Sequence, residues 1–152
     1  MDFRVMTAED LAFVDAHPLY PDERKERKDD QDFNFALQHG DYVLGVGGFR
    51  MITDTTAWTW VQLTSYVGHH IIQTIRVITE YMDGYYLKDG THKPGFCKKH
   101  GILRLQAFVR ADFPEGHRLV EHLGYFREGP VMKDFCGKGI DAHLYVKHYD
   151  GE

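Results

Sequence analysis

The segment WVQLTSYVGHHIIQTIR, Trp60 to Arg76, contains the pattern that decides the fold. An apolar strand, Trp58 to Leu63, precedes a short polar turn whose single glycine is Gly68, and a strongly apolar helix follows. This order is typical of phosphate-binding sites, because the N–H groups at a helix N-terminus attract anions. Such turns usually contain two or three small residues. The segment is therefore interpreted either as a phosphate site or as a plain connection between two core elements.

The composition is typical of an ordinary globular protein. Of the 152 residues, 43% are hydrophobic and 14% aromatic, which predicts one domain over residues 1–152. A net charge of −5 and a pI near 6.0 argue against generic nucleic-acid binding, which requires a basic face. The two cysteines, the charged N-terminus and the lack of a bilayer-length apolar run predict a cytoplasmic protein outside the membrane.

Before the central segment, alternation of apolar residues and turn residues predicts several strands. Thr7 is a predicted helix N-cap, with Asp10 in the place of the Glu or Gln of a capping box. The polar stretch PLYPDERKERKDD, Pro18 to Asp30, is predicted to be loop and frayed helix. The predicted strands are Phe3–Met6, Phe33–Gln38, Tyr42–Ile52 with close backbone approach at its glycines, and Ala57–Thr64.

After the turn, apolar residues recur at helical spacing from Val67 to Met82 and predict a long helix. Asp83 to Gly101 is predicted to be a long loop. The remaining predicted elements are a strand at Ile102–Val109, a helix from Pro114 to Gly124, and strands at Tyr125–Asp134 and His143–His148. This order predicts an α/β (α+β) fold with one mostly antiparallel, mixed sheet of about seven strands and one parallel crossover.

The element order and two motifs resemble the GCN5-related N-acetyltransferase (GNAT) family over nearly the whole chain. Trp58 to Met82 resembles its motif A of strand, phosphate-binding turn and long helix, and Leu105 to Gly129 resembles its motif B. The resemblance implies a GNAT-like fold with splayed fourth and fifth strands and helices on both faces. A further resemblance is to the small GNAT-like proteins of tailed phages, some of which are internal virion proteins.

The GNAT resemblance implies acetyl-CoA as co-substrate, with its pyrophosphate on the turn after the fourth strand. Gly68 matches the first glycine of the family pattern Gln/Arg-x-x-Gly-x-Gly/Ala, whereas Ser65 and His70 depart from it. A family tyrosine that protonates the leaving thiolate is replaced by Val120. The residues implied in cofactor binding are Leu63, Thr64, Ser65, Val67, Gly68, His69, His70, Arg110, Phe113, Gly116 and Leu119.

Candidate acid–base groups are His69, His70 and His117, because an imidazole titrates near working pH. The hypothesis is an N-acetyltransferase that transfers acetyl to a primary amine on a small molecule or protein lysine by direct attack. The alternative is a catalytically silent GNAT-like structural or interaction protein, with a homodimer or a phage particle as its assembly. No metal site is expected, because four-ligand spacing is missing from the histidines and cysteines.

Overall fold

The computed structural model of the chain describes residues 1–20 and 33–149. The predicted loop and frayed helix therefore lie mostly outside the described residues. By their internal contacts the residues form two compact units, one of Met1–Arg50 and Thr59–Val77, the other of Met51–Trp58 and Ile78–Glu152. The single domain over residues 1–152 stays a prediction.

Strands β1 to β4, two helices and a 3₁₀ helix make up the N-terminal half of the chain. Their order is strand, helix, three strands, a 3₁₀ helix and a long α-helix, and the sequence predicted this order apart from the 3₁₀ helix. The bounds are β1 Asp2–Val5, α1 Ala8–Ala16, β2 Phe33–His39, β3 Tyr42–Met51, β4 Thr56–Leu63, a 3₁₀ helix Ser65–His70 and α2 Ile71–Asp83.

The C-terminal half contributes six further strands and two helices. Within residues 1–20 and 33–149, eight strands belong to the mostly antiparallel sheet, one more than the predicted seven, while β5 and β6 pair with each other in a separate two-stranded sheet. The bounds are β5 Gly84–Tyr86, β6 His92–Pro94, α3 Phe96–Lys99, β7 Arg104–Arg110, α4 Pro114–His122, β8 Phe126–Arg127, β9 Met132–Gly137 and β10 Ile140–His148.

The start of α1 is fixed by the predicted capping box. The Thr7 hydroxyl accepts from the Asp10 N–H, and the Asp10 carboxylate accepts from the Thr7 N–H at 2.7 Å. Arg4 also donates to both oxygens of this buried carboxylate, at 2.7 and 2.8 Å. The Arg4 hydrogen bond is the main reason that the pKa of Asp10 lies below its usual value.

Two glycines of β3 allow the close backbone approach that the sequence predicted. A Cβ at Gly47 would lie 2.7 Å from the Trp60 carbonyl oxygen, and one at Gly48 would lie 2.5 Å from that of Phe33. The β2–β3 ladder also shifts register between Leu37 and the next residue, as a bulge does. The glycines therefore permit strand contacts that side chains would obstruct.

The parallel pairing that the crossover predicts is present between β4 and β7. It consists of the pairs Thr56–Arg104, Ala57–Leu105 and Trp58–Gln106, near the N-terminal ends of both strands. The parallel ladder therefore starts at the N-terminal ends of β4 and β7. Two strands that separate further along their length would still be paired at these ends.

Three predicted elements need correction. The predicted loop Asp83–Gly101 contains the β5–β6 hairpin and the short helix α3, which lack the alternation and helical period that sequence patterns reveal. The predicted strand Tyr125–Asp134 is broken into β8 and β9, because Gly129 has a φ of 78° and a proline follows it. The predicted helix from Val67 is divided, with a 3₁₀ helix before α2.

Candidate functional site

The turn after β4 is held to the first unit by Thr64, whose side chain is fully buried. Its hydroxyl donates to the Val43 carbonyl oxygen at 2.7 Å, and its N–H donates to the Leu44 carbonyl oxygen at 2.9 Å. Both donors of Thr64 are therefore used by β3, and its contact with the cofactor stays a prediction. Thr64 fixes the position at which the chain leaves β4.

Three further predicted cofactor residues anchor the turn through groups that are already bonded. The Leu63 carbonyl oxygen accepts from Leu19, the Ser65 N–H donates to His17 at 2.9 Å, and the Val67 N–H donates to Thr64 at 3.1 Å. The Val67 side chain is buried in a core cluster with two leucines of β2 and β3. The Leu63 and Val67 side chains are buried, so neither is available to a ligand.

Gly68 interrupts the helical backbone of the turn. Its φ of 42° and ψ of −126° are non-helical, while Ile71 is already in the right-handed helical region. A Cβ at Gly68 would meet nothing within 4 Å, so the glycine is required by its backbone conformation and the space beside it is open. The helix that continues into α2 therefore begins after Gly68, and the first N–H groups of a helix have no intrahelical acceptor.

The two histidines after Gly68 belong to this first helical turn. His69 is exposed and His70 is partly exposed, and their ring centroids lie 4.2 Å apart. The His70 ring also lies 5.0 Å from the ring of His39, the last residue of β2. The turn can therefore offer an anion open space at Gly68, helical N–H groups and imidazole rings, which fits the pyrophosphate of acetyl-CoA.

In the second unit, the predicted cofactor residues lie at the end of β7 and on α4. Arg110 donates two hydrogen bonds to the exposed Asp112 carboxylate, at 3.0 and 2.8 Å. Leu119 is half-buried on α4. A Cβ at Gly116 would lie 2.5 Å from the Phe113 ring and 2.8 Å from a Val109 methyl group. Protein side chains therefore fill the space that a Cβ at Gly116 would need, and its contact with the cofactor stays a prediction.

His117 on α4 is hydrogen-bonded to a buried tyrosine that the sequence interpretation missed. Its Nδ1 lies 2.8 Å from the hydroxyl of Tyr145 in β10, and the Tyr145 side chain is fully buried. An Arg127 guanidinium nitrogen donates to the same hydroxyl oxygen at 3.2 Å. On the opposite side, the hydroxyl reaches a Glu121 carboxylate oxygen at 3.4 Å.

This network has two proton arrangements, because a hydroxyl donates only one hydrogen bond. When His117 is neutral at Nδ1, the Tyr145 hydroxyl donates to it across the shorter distance of 2.8 Å. When His117 is protonated, Nδ1–H donates to the tyrosine oxygen and the hydroxyl proton turns to Glu121. The hydrogen bond between His117 Nδ1 and the Tyr145 hydroxyl can therefore form with either group as the donor.

His143 packs beside this network from β10. Its ring centroid lies 5.5 Å from that of His117, and its Nδ1 is buried without a hydrogen-bond partner among the described residues. Burial lowers the pKa of His143, and the charges of Arg127 and His117 lower it further. Burial and these charges therefore disfavour the protonated form of His143.

Strand β4 carries two buried polar atoms on one face, at residues two apart. They are the indole Nε1 of Trp60 and the Oε1 of Gln62, and neither has a hydrogen-bond partner in the part of the chain that the structure describes. The Gln62 side chain is only 7% exposed. A buried carbonyl oxygen without a donor is costly, so the Gln62 side chain lowers the stability of the fold at this position.

Residues 1–20 and 33–149 contain no group of three His, Cys, Asp or Glu side chains arranged to hold a metal ion. Across the same ranges, no helix is both long enough and apolar enough to cross a membrane.

Comparison with known proteins gives a result at the level of structure. No family model and no curated protein matches the sequence. A ribosomal-protein alanine N-acetyltransferase from Escherichia coli is 14% identical with a TM-score of 0.66, covering 99% of this chain and 96% of that chain. A chimera of spermidine N-acetyltransferase SpeG from Vibrio cholerae and hSSAT is 13% identical with a TM-score of 0.63, covering 97% and 96%.

A third similar structure is yncA from Salmonella typhimurium, which was solved with its cofactor acetyl-CoA. It is 14% identical with a TM-score of 0.55, and the match covers 79% of this chain and 66% of that chain. Identities this low establish the fold and no more. The chain therefore has the fold of these acetyltransferases, as its resemblance to the GNAT family predicted.

Proposed function

We propose that the chain is an N-acetyltransferase that transfers the acetyl group of acetyl-CoA to a primary amine. The observation that carries this proposal is the turn after β4, where a non-helical Gly68 precedes the start of a long helix in an acetyltransferase fold. A helix N-terminus with open space beside it is suited to a pyrophosphate. The buried residues on either side of Gly68 keep this turn in place.

The proposed cofactor contacts are fewer than the sequence implied. On the turn they are the backbone and side chains of Gly68, His69 and His70, with the exposed Ser65 hydroxyl beside them. On β7 and α4, Arg110, Phe113 and Leu119 stay proposed contacts. Leu63, Thr64, Val67 and Gly116 stay predicted contacts, and the hydrogen bonds and packing of the last three also support the turn and α4.

The reaction requires two proton transfers, one from the amine nitrogen and one to the leaving thiolate. The neutral amine nitrogen attacks the thioester carbonyl carbon, the C–N bond forms, the C–S bond breaks, and the thiolate leaves. The nitrogen loses one proton and the thiolate gains one, so the transfer is balanced without another reactant. We assign the proton-handling role to His117, because its Nδ1 is hydrogen-bonded to the Tyr145 hydroxyl, which also reaches a Glu121 carboxylate oxygen.

The acceptor amine is proposed to bind at the face of β4 that carries Trp60 and Gln62. The unpaired Oε1 of Gln62 is suited to accept a hydrogen bond from an amine N–H. The net charge of −5 favours the approach of cationic amines. Spermidine and a peptide with an N-terminal alanine are suitable test acceptors, because the similar acetyltransferases named above act on spermidine and on a protein alanine.

The test is an acetyl-transfer assay in which release of the CoA thiol is followed with a thiol-reactive dye over a panel of primary amines. We expect thiol release that depends on both the amine and the enzyme. His117→Gln is expected to lower kcat by about 10²-fold or more, with a smaller effect on binding of acetyl-CoA. The matched control is His122→Gln on the exposed side of α4, which is expected to keep full activity.

Binding of acetyl-CoA without transfer to any amine of the panel would favour the catalytically silent alternative. Unchanged turnover in His117→Gln would refute the role assigned to that residue. The structures compared above are bacterial acetyltransferases and give no support to a phage origin. The cytoplasmic location and the homodimer stay predictions.

A further inference from the structure

Three imidazole rings meet at the turn that follows β4, and one of them comes from another strand. His39 ends β2 in the hairpin that leads to β3, whereas His69 and His70 follow Gly68 directly. The ring of His70 lies between the other two, with centroid distances of 5.0 Å to His39 and 4.2 Å to His69. His39 and His69 are exposed, so the cluster is open to a ligand.

In the absence of an anion, the surroundings of His70 oppose its protonation. Partial burial lowers the pKa of His70, and the charges of His69 and then His39 lower it further. A bound phosphate would reverse this effect, because imidazolium N–H groups donate charge-assisted hydrogen bonds to anions.

The other ionisable groups on the neighbouring elements are not among the charges that shift the pKa of His70. In β1, Arg4 is paired with Asp10 of α1, and Asp2 lies opposite Gln38 of β2. Asp41 is exposed in the hairpin turn after His39. The charges that act on the pKa of His70 are those of the two other histidines.

We propose that His39, His69 and His70 form a binding site for the pyrophosphate of acetyl-CoA that acts in its protonated form. This inference rests on the proposed function, and it adds a residue from β2 and a pH dependence to the cofactor site. Binding then takes up protons from solution. Each proton taken up strengthens binding by as much as about tenfold per pH unit within the titration range of the cluster.

The experiment measures binding of acetyl-CoA by calorimetry between about pH 6 and about pH 8, in two buffers with different ionisation heats. The same titration with 3′-dephospho-acetyl-CoA separates the pyrophosphate from the 3′-phosphate, whose own pKa of about 6 would otherwise contribute. The variants are His39→Gln and the pair His39→Gln with His69→Gln, all at exposed positions. His122→Gln, on α4, is the matched control.

We expect the wild-type affinity to rise about tenfold or more from the higher to the lower pH, with proton uptake, for both cofactors. His39→Gln is expected to lose part of this gain, the double variant most of it, and the control none. Binding that is equally tight at both pH values, without proton uptake, would overturn the inference. A pH effect that disappears with the dephospho cofactor would assign it to the 3′-phosphate and overturn the inference as well.

A second measurement separates this inference from the proposed function. Inorganic pyrophosphate is added while the histidine ring resonances are followed by NMR. Movement of the three cluster resonances, with a raised apparent pKa for His70, supports the cluster even if acetyl-CoA fails to bind. Absence of movement at millimolar pyrophosphate contradicts the cluster, whereas failure of acetyl-CoA alone to bind contradicts the proposed function.

Discussion

Replacement of Gly68 distinguishes a working anion site from a structural connection more sharply than any other single change. Its φ of 42° and ψ of −126° strain any residue with a Cβ, at a cost of about 1–3 kcal/mol. Because nothing lies within 4 Å of that Cβ, no steric clash adds to the strain. At about 2–4 °C per kcal/mol for a chain of this size, Gly68→Ala is expected to lower Tm by roughly 2–12 °C.

The informative pair at this position is Gly68→Glu and Gly68→Gln. The two side chains have the same size and impose the same strain, so they differ in charge alone. A carboxylate about 4 Å from one phosphate charge costs about 1 kcal/mol in bulk water and about 4 kcal/mol near a protein surface. Gly68→Glu is therefore expected to bind acetyl-CoA between about 5-fold and about 10³-fold more weakly than Gly68→Gln.

The assay is calorimetric titration with acetyl-CoA at low ionic strength, where such charge effects are least screened. Thermal unfolding of each variant confirms that the folded state is populated at the temperature used. Gly101 provides the matched control, because it also has a positive φ, of 68°, with nothing within 4 Å of a Cβ. Gly101→Glu and Gly101→Gln are expected to bind equally. Equal Kd values for the two Gly68 variants would refute the placement of the pyrophosphate.

Three further outcomes are expected. Asp83→Ala removes the acceptor of hydrogen bonds from Lys147 and from the Tyr149 hydroxyl, each at 2.7 Å. Urea unfolding is expected to show that the free energy of unfolding falls by about 2 kcal/mol, and a fall of less than about 0.5 kcal/mol would contradict this. The pKa of His143 is lowered in the folded state, so the unfolded chain takes up a proton first as the pH falls below about 6.5, and the free energy of unfolding decreases with it. His143→Gln should show a shallower decrease of stability with falling pH, and parallel stability–pH curves for the variant and the wild type would argue against this role of His143. Gln62→Leu removes a buried oxygen without a hydrogen-bond partner, so the variant should keep or gain stability while its turnover falls. A loss of stability together with an unchanged KM for the amine would refute the proposed acceptor site.

The strand–turn–helix segment was predictable because its signals are local. The apolar period of α2 and the strand before the turn can both be read from neighbouring residues. Gly68 could also be identified, since a lone glycine between a strand and a helix indicates an unusual backbone conformation. The exact helix start was missed, because the period of the apolar residues continues through the 3₁₀ turn.

The roles of single residues in the site depended on contacts between distant parts of the chain. Thr64 is hydrogen-bonded to residues 20 and 21 positions earlier, so its hydroxyl already has acceptors within the protein. Gly116 has the small side chain that the family resemblance implied, but its neighbours occupy the space. Neither fact has a signal in the local sequence.

The Tyr145–His117 pair illustrates the same limit at the proposed catalytic group. The two residues are 28 positions apart, and alternation within β10 indicates only that Tyr145 faces one side of the sheet. The family position for the proton-donating tyrosine is occupied by Val120, so the family resemblance does not indicate Tyr145. Only the antiparallel pairing of β7 with β10 and the packing of α4 on β7 bring the hydroxyl to His117.

The most direct test of the acetyltransferase interpretation is the melting temperature of the wild-type chain with and without acetyl-CoA. A ligand at about 100 times its Kd stabilises the folded state by about 2.7 kcal/mol. At about 2–4 °C per kcal/mol, this corresponds to a rise in Tm of roughly 5–11 °C. We expect such a rise with acetyl-CoA, and a smaller one in Gly68→Glu. No rise at millimolar acetyl-CoA would contradict the proposal that this turn binds the cofactor.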